Sequence, residues 1–404
     1  MTAGDHSVFP VEPRDCPICD CRSRRLLYRQ RFSEMSEGSL LAGYDVVACE
    51  ACGLAYADNI PSQRTFDAHY RDMSKYERQD CGCREAESDI LRFRAIAQII
   101  ARGQPDRTTR ILDVGCAIGG LLAALKDLGY SSLFGIDPSP SCAMAAAGAH
   151  GIEVVTGTLA SLPVGDRKFD LIVLSNILEH VRDLKPALLR LCDVLADTGM
   201  VYVQVPDASR FANRDDAPFQ EFSTEHINFF SAVSLANLMR SAGFLARLIE
   251  SNAYHQEQCD PMPLVDGIFQ RVSEAASPLE RDDITEPELR RYVRGSQEVD
   301  DRIRRVIGDI VSRDETIIVW GVGTHTLRLL STSRLGDANI AAFVDSNPHY
   351  QGKTLQGVPI LAPADLQKMP QAILVSSRVF QRNIEDQIRN VLKLDNRLYL
   401  LYDV

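Results

Sequence analysis

The feature that most constrains this chain is the run Arg110-Ile-Leu-Asp-Val-Gly-Cys-Ala-Ile-Gly119. Ile111 to Val114 reads as a short buried strand. It breaks at Gly115 into a glycine turn, after which helical spacing runs from Leu121 to Leu128. Glycines in such a turn let backbone approach a ligand where a side chain would collide. A second strand, Leu133 to Ile136, ends on Asp137. That interval is about the one at which nucleotide-type folds place an acid against a ribose hydroxyl pair. The tight Gly-x-Gly-x-x-Gly of dinucleotide-binding domains is absent.

The same rhythm continues on both sides. Ser88 is placed to cap a lead-in helix whose apolar residues Ile90, Leu91, Phe93, Ile96, Ala97 and Ile100 recur at helical spacing, with Gly103 ending it. Strands near 110–114, 133–137, 152–155, 169–174 and 200–205 alternate with helices, which predicts a doubly wound parallel sheet. Ser231 opens a further helix that Gly243 stops, and 244–250 returns as a strand. A helical connector is expected over 259–315, a helix pair with an apolar stripe from Leu289 to Ile310. Thr316-Ile-Ile-Val-Trp-Gly-Val-Gly323 then opens a second α/β unit, with strands at 340–345, 372–376 and 398–401. Its glycine turn is set to meet an anionic group at a helix N-terminus. At 404 residues, two or three domains are expected.

Two Cys-x-x-Cys knuckles, Cys16-Pro-Ile-Cys19 and Cys49-Glu-Ala-Cys52, stand 29 residues apart near the N-terminus. Two residues between thiolates let both sulfurs reach one tetrahedral ion. Leu26 to Tyr28 and Tyr44 to Val47 read as short strands between the knuckles, as in a zinc ribbon. Four thiolates fill the tetrahedron, so this zinc is expected to be structural. Cys21, Cys81 and Cys83 are spare. Eleven cysteines without a secretory leader favour thiols and metal over disulfides and predict a cytoplasmic protein. The net charge of −11 argues against a nucleic-acid partner, whose phosphates need a basic face. No apolar run approaches the ~20 residues that cross a bilayer.

Ile111-Leu-Asp-Val-Gly-Cys-Ala-Ile-Gly119, Gly135-Ile-Asp-Pro138 and Phe169-Asp-Leu-Ile-Val-Leu-Ser-Asn-Ile-Leu-Glu-His-Val181 resemble the first, second and fourth motifs of class I S-adenosylmethionine-dependent methyltransferases. The likeness covers roughly residues 88–250, with Ala117 where the family often has glycine. It implies that Asp113 and the turn of Gly115, Cys116 and Gly119 face the methionine half of the cofactor. Asp137, followed by Pro138, would take the ribose hydroxyls. Thr158 and Leu159 would border adenine, and Ser175 and Asn176 would line the sulfonium end. The expected fold is therefore α/β, divided as zinc ribbon and connector (1–87), Rossmann-like methyltransferase domain (88–258), helical connector (259–315) and C-terminal Rossmann-like domain (316–404).

That layout resembles the sugar C-methyltransferases of deoxysugar biosynthesis. Val344-Asp-Ser-Asn-Pro-His349 and Gln351-Gly look like the family's C-terminal signature, while 321–328 departs from its pattern and lacks the lysine. The resemblance implies a nucleotide-linked sugar as small-molecule substrate, methylated at carbon beside a keto group. It also implies that His226 transfers the proton, that Glu225 orients it or shares the role, and that Tyr76 joins the site from the connector, with Tyr70 a possible neighbour. The chemistry agrees: a sulfonium methyl is already electrophilic, so the protein must present a nucleophile in line. A carbon nucleophile needs a base, and histidine titrates near neutrality. Methylation of a hydroxyl or amine would use the same base, and a non-catalytic cofactor-binding scaffold is a third reading. Glu179-His180 reads as closing the cofactor pocket, and His255, His325 and His349 as surface or turn residues.

Overall fold

The structure is a computed structural model that describes residues 10–34, 40–72, 85, 87–256, 259–272 and 278–403. Tyr76, Cys81 and Cys83 lie outside the described residues. The first cysteine knuckle precedes, and the second interrupts, an antiparallel meander of β1 (Arg24–Arg31), β2 (Gly43–Cys49) and β3 (Ala55–Asp58), the second knuckle forming the turn between β2 and β3. Gly53 follows the second knuckle at φ +84°, where a Cβ would lie 2.1 Å from the carbonyl oxygen of Asp282. Only glycine suits both the left-handed turn and that contact. The chain then runs through α1 (Gln63–Asp72) and the lead-in helix α2 (Glu87–Gly103).

The central sheet begins with β4 (Arg110–Val114), whose Ile111 and Leu112 are fully buried, as its apolar run requires. It continues through α3 (Gly120–Asp127), β5 (Ser132–Asp137), α4 (Pro140–His150), β6 (Glu153–Thr156), β7 (Phe169–Ser175), α5 (Leu184–Val194) and β8 (Leu195–Pro206). Next come β9 (Asn228–Phe229), α6 (Ala232–Ser241), β10 (Phe244–Gln256) and β11 (Cys259–Arg271). The seven-stranded order is β10-β11-β8-β7-β4-β5-β6. The five strands from β8 to β6 run parallel, and β10 and β11 add an antiparallel hairpin at one edge. Residues 259–271, expected to start a helical connector, are thus a strand of the central sheet, and β10 runs past the expected end at 250. Apolar residues lie on both its faces, Leu264 and Ile268 on one and Val265 and Phe269 on the other, with Asp266 and Gly267 between, so no two-residue alternation marks the strand.

β9 does not join the central sheet. It pairs with β3 and makes the ribbon sheet four-stranded, β1-β2-β3-β9.

Beyond the hairpin, the expected helix pair is one 28-residue helix, α7 (Thr285–Ser312). The C-terminal unit follows as β12 (Ile317–Trp320), α8 (Thr324–Thr332), β13 (Ile340–Val344), β14 (Thr354–Leu355), β15 (Val358–Leu361), β16 (Ala372–Val375), α9 (Gln381–Asp386) and β17 (Leu398–Leu400). Its six-stranded order is β14-β15-β13-β12-β16-β17. It repeats the turn of the central sheet. The Val322 N–H donates to Asp345 Oδ2 at 2.9 Å, as the Ala117 N–H does to Asp137 Oδ2 at 2.9 Å.

Ribbon, α7 and C-terminal unit share one apolar core that includes Tyr44, Phe219, Phe222, Leu289 and Leu329. Within it Arg328 pairs with Asp300 and lies over the Phe219 ring, on which Tyr28 stacks at 4.2 Å. His325, read as a surface residue, is buried and bonded to Tyr402 Oη at 2.8 Å. Among the described residues no helix is long and apolar enough to cross a membrane.

Asp282 joins three of these parts. Its N–H donates to the Cys52 carbonyl at 2.9 Å, and its buried carboxylate accepts from the Thr285 N–H (3.0 Å), Thr285 Oγ1 (2.6 Å) and Ser231 Oγ (2.6 Å). Ser231 in turn caps α6 through a reciprocal bond with Ser234. Substituting Asp282 by Ala leaves buried donors unpaired and uncaps α7, and each such loss is worth about 1–3 kcal/mol. Asp282→Ala is therefore expected to lower stability by roughly 3 kcal/mol, read as a fall in the urea midpoint. An unchanged midpoint would contradict this assignment.

Candidate active site

One cavity of about 670 Å³ opens at the carboxyl ends of β4, β5 and β7, the edge where α/β sheets hold ligands. Asp113, Gly115, Cys116, Asp137, Pro138, Thr158, Leu159, Ser175 and Asn176 all line it. Gly119, by contrast, is not a lining residue and caps α3 from behind the turn. Gly115 takes φ +75°, and a Cβ there would lie 2.2 Å from Ile177 Cδ1. Ala117 sits in the left-handed region at φ +47°, a conformation that disfavours a side chain, held by its N–H bond to Asp137. The other oxygen of Asp137 accepts the Ser139 N–H at 2.9 Å.

Burial pushes the carboxyl of Asp113 up to about 8, the Asp137 charge adds to this, and Arg92 opposes it. Arg92 comes from α2 and donates to Ser175 Oγ at 3.0 Å and Gln204 Oε1 at 3.2 Å. Sequence reasoning missed Arg92 because it lies among the apolar residues of the lead-in helix, with no motif around it.

The opposite wall is built from two segments held together by one backbone bond and the side chain of Asn228. The Ile227 N–H donates to the Glu179 carbonyl at 2.8 Å, and the Asn228 amide donates to the Leu178 and Val181 carbonyls at 2.7 and 2.8 Å. His180 and the exposed Glu225 line the cavity here. The Tyr70 hydroxyl, from α1, lies 3.0 Å from His180 Nδ1, and the Glu225 carbonyl oxygen lies 3.2 Å from the same nitrogen. His226, expected as the base, is not a lining residue. It is set behind His180, ring centroids 4.9 Å apart in a T-shaped contact. The residue is half-buried, yet burial of its ring, and then the neighbouring His180, push its pKa down to about 3. It is neutral at pH 7. Glu179 is 1% exposed, and neither carboxylate oxygen has a hydrogen-bond partner. Burial pushes its pKa up, opposed by His180.

The C-terminal unit reaches the same cavity. Asn347, His349 and Tyr350, from the turn after β13, line it together with Glu225. His349 is therefore not the plain surface residue its sequence context suggests. At the N-terminal end, the four knuckle sulfurs lie within 4.8 Å of one another, with Cys16 and Cys52 at 3.5 Å and Cys19 and Cys49 at 3.4 Å.

The family model described as "Methyltransferase domain" matches residues 88–247, and a second, "C2185-like, N-terminal", matches 313–398. A probable S-adenosylmethionine-dependent methyltransferase of Mycobacterium tuberculosis is 31% identical over 94 residues, 23% of this chain and 33% of that protein. Another probable S-adenosylmethionine-dependent methyltransferase, from Mycolicibacterium smegmatis, is 27% identical over 135 residues, 33% of this chain and 51% of that protein. The matches thus span a third to about half of these relatives' length. Among solved structures, the 1,6-didemethyltoxoflavin-N1-methyltransferase of Burkholderia thailandensis is similar at 18% identity and TM-score 0.42, covering 55% of this chain and 97% of that one.

The raised pKa of Asp113 has a signed consequence for stability. The unfolded carboxyl loses its proton near 4, whereas the folded one keeps it to about 8. Over that window the folded state holds the extra proton, so stability falls as pH rises and levels off above about 8. In the unliganded protein, Asp113→Asn is expected to flatten the decline in Tm between pH 6 and about 8. Parallel pH profiles for wild type and variant would contradict this account.

Proposed function

We propose that this chain, which carries a class I S-adenosylmethionine-dependent methyltransferase domain, methylates a nucleotide-linked sugar, at a carbon next to a keto group. The single observation that carries the reading is the shared cavity. Asp113 and Asp137 line one side, His180 and Glu225 another, and the C-terminal turn of Asn347, His349 and Tyr350 a third. Two acidic side chains facing a cavity, Asp113 giving up its proton as a cation binds, suit a ligand that carries an ammonium and a sulfonium. Asn176 adds a buried amide oxygen without a partner. On this reading Asp113, Gly115, Cys116, Ser175 and Asn176 hold the methionine end of the cofactor. Gly119 shapes the turn, Asp137 and Pro138 take the ribose, and Thr158 and Leu159 border the adenine.

S-adenosylmethionine, when bound, supplies an electrophilic methyl whose bonding electron pair returns to sulfur as the methyl leaves. The residues of the far wall do the rest. A carbon nucleophile arises when the proton beside the keto group moves to a base, and the Glu225–His226 pair is assigned that role, with Glu225 the member that meets the cavity. The Tyr70 hydroxyl and His180 form a hydrogen-bonded pair at 3.0 Å, suited to hold the oxygen on which charge develops. Tyr76 is proposed as a further contributor and lies outside the described residues. The C-terminal turn lines the same cavity, which supports a substrate larger than a simple metabolite.

The cysteine cluster is assigned to a structural zinc. Zinc–sulfur bonds of ~2.3 Å in a tetrahedron place sulfurs about 3.8 Å apart. The observed 3.4–3.5 Å pairs need only slight spreading to receive the ion.

Incubation with methyl-labelled cofactor and a 4-keto sugar nucleotide in D2O tests the reading. The product is expected to carry the methyl on carbon, with deuterium exchange at the adjacent carbon position of the substrate. Glu225→Gln is expected to lower kcat about a hundredfold. Methylated product without exchange would move the methyl to oxygen or nitrogen, and no product across a sugar-nucleotide panel would favour a cofactor-binding scaffold.

A further inference from the structure

Besides the knuckle cysteines, one group of ligand-type side chains converges among the described residues: Glu179, His180 and His226, with one donor atom of each within 4.8 Å of the others. Glu179 is 1% exposed and both its oxygens lack a hydrogen-bond partner. A carboxylate so placed is costly unless something cationic meets it. His180 is oriented for that. Its Nδ1 faces the Tyr70 hydroxyl at 3.0 Å and the Glu225 carbonyl at 3.2 Å, while Nε2 faces Glu179 Oε1 at 4.0 Å. When Nδ1–H donates to that carbonyl, Nε2 turns a lone pair toward Glu179. Metal-ligating histidines are held in this way, by a bond from the other ring nitrogen to a carbonyl. The His226 ring packs edge-on against His180 and completes the group.

We propose that Glu179, His180 and His226 hold a divalent transition-metal cation through one carboxylate oxygen and two imidazole nitrogens. Two nitrogens and one oxygen suit manganese, iron or zinc better than calcium or magnesium. Ligands at ~2.1 Å stand roughly 3–4 Å apart, so modest side-chain rotation closes the group. Three protein ligands leave positions open, and His180 lies on the cavity wall, so those positions can meet an acceptor. A cation there is a Lewis acid toward an acceptor oxygen. The inference rests on the preceding reading of where the acceptor sits and refines one part of it. With the cation present His180 and His226 are ligands, the cation and the Tyr70 hydroxyl hold the oxygen on which charge develops, and Glu225 is the member of the pair left to take the proton.

The probe is Mn2+, which thiolates of the ribbon disfavour. Full-length protein is titrated with Mn2+ and followed by the EPR signal of the free ion and by Tm. Wild type is expected to take up one equivalent with a rise in Tm, and Glu179→Gln to bind at least tenfold more weakly. Without metal, Glu179→Gln is expected to melt at or above the wild-type temperature, because it lacks the unpaired buried carboxylate. A merely structural Glu179 would give the reverse. His226→Asn serves as the second variant should the first fail to fold, with the same expected loss of uptake. Equal uptake by wild type and variants, or no uptake, overturns the cation site. Titration of the same samples with S-adenosylhomocysteine separates the two claims. Its binding without Mn2+ uptake overturns the cation alone, whereas Mn2+ uptake without its binding upholds the cation and overturns the methyl-transfer reading.

Discussion

The arrangement depends on a short clamp, residues 227–229, held on one side by strand pairing and on the other by one backbone bond and the Asn228 side-chain amide. On one side β9 pairs with β3 of the ribbon, and the Ala57 N–H donates to the Ile227 carbonyl at 2.9 Å. On the other, Ile227 and Asn228 bond to the carbonyls of Glu179, Leu178 and Val181. Backbone bonds leave little freedom to slide, since a one-residue slip would turn every side chain to the other face. The clamp sets His226 against His180 and brings Glu225 to the cavity. An N-terminal ribbon with no lining residue of its own thereby fixes the geometry of a wall more than a hundred residues away in sequence.

The central glycine turn was legible from ten residues, because a buried strand, a turn that excludes side chains and a helix leave different marks on sequence. Strands at 110–114, 133–137 and 169–174 therefore lie within a residue of the observed β4, β5 and β7. What failed was non-local. β11 carries two aspartates, two prolines and a glycine and sits at the edge of charged sequence, so its pairing with β8 and β10 leaves no local signature. Arg92, Tyr70 and His349 reach the cavity from three separate elements that sequence distance gives no reason to join. The Glu225-His226 pair was found, but which member faces the cavity depends on the clamp, and no spacing rule encodes that.

Charge is distributed unevenly around this cavity. Asp113, Asp137 and Glu179 are all buried at or beside it, and desolvation raises the pKa of both Asp113 and Glu179. Arg92 offsets part of that charge from α2. Such a site holds itself short of its most stable state in the absence of ligand and favours cationic partners. An ammonium and sulfonium on one wall and a metal ion on the other are the partners that this distribution suits.

The most direct measurement is calorimetric titration of the purified chain with S-adenosylhomocysteine near pH 8. The account predicts saturable heat with one molecule bound per chain. Absence of saturable heat, in protein whose folding is verified by a cooperative melt, would contradict it.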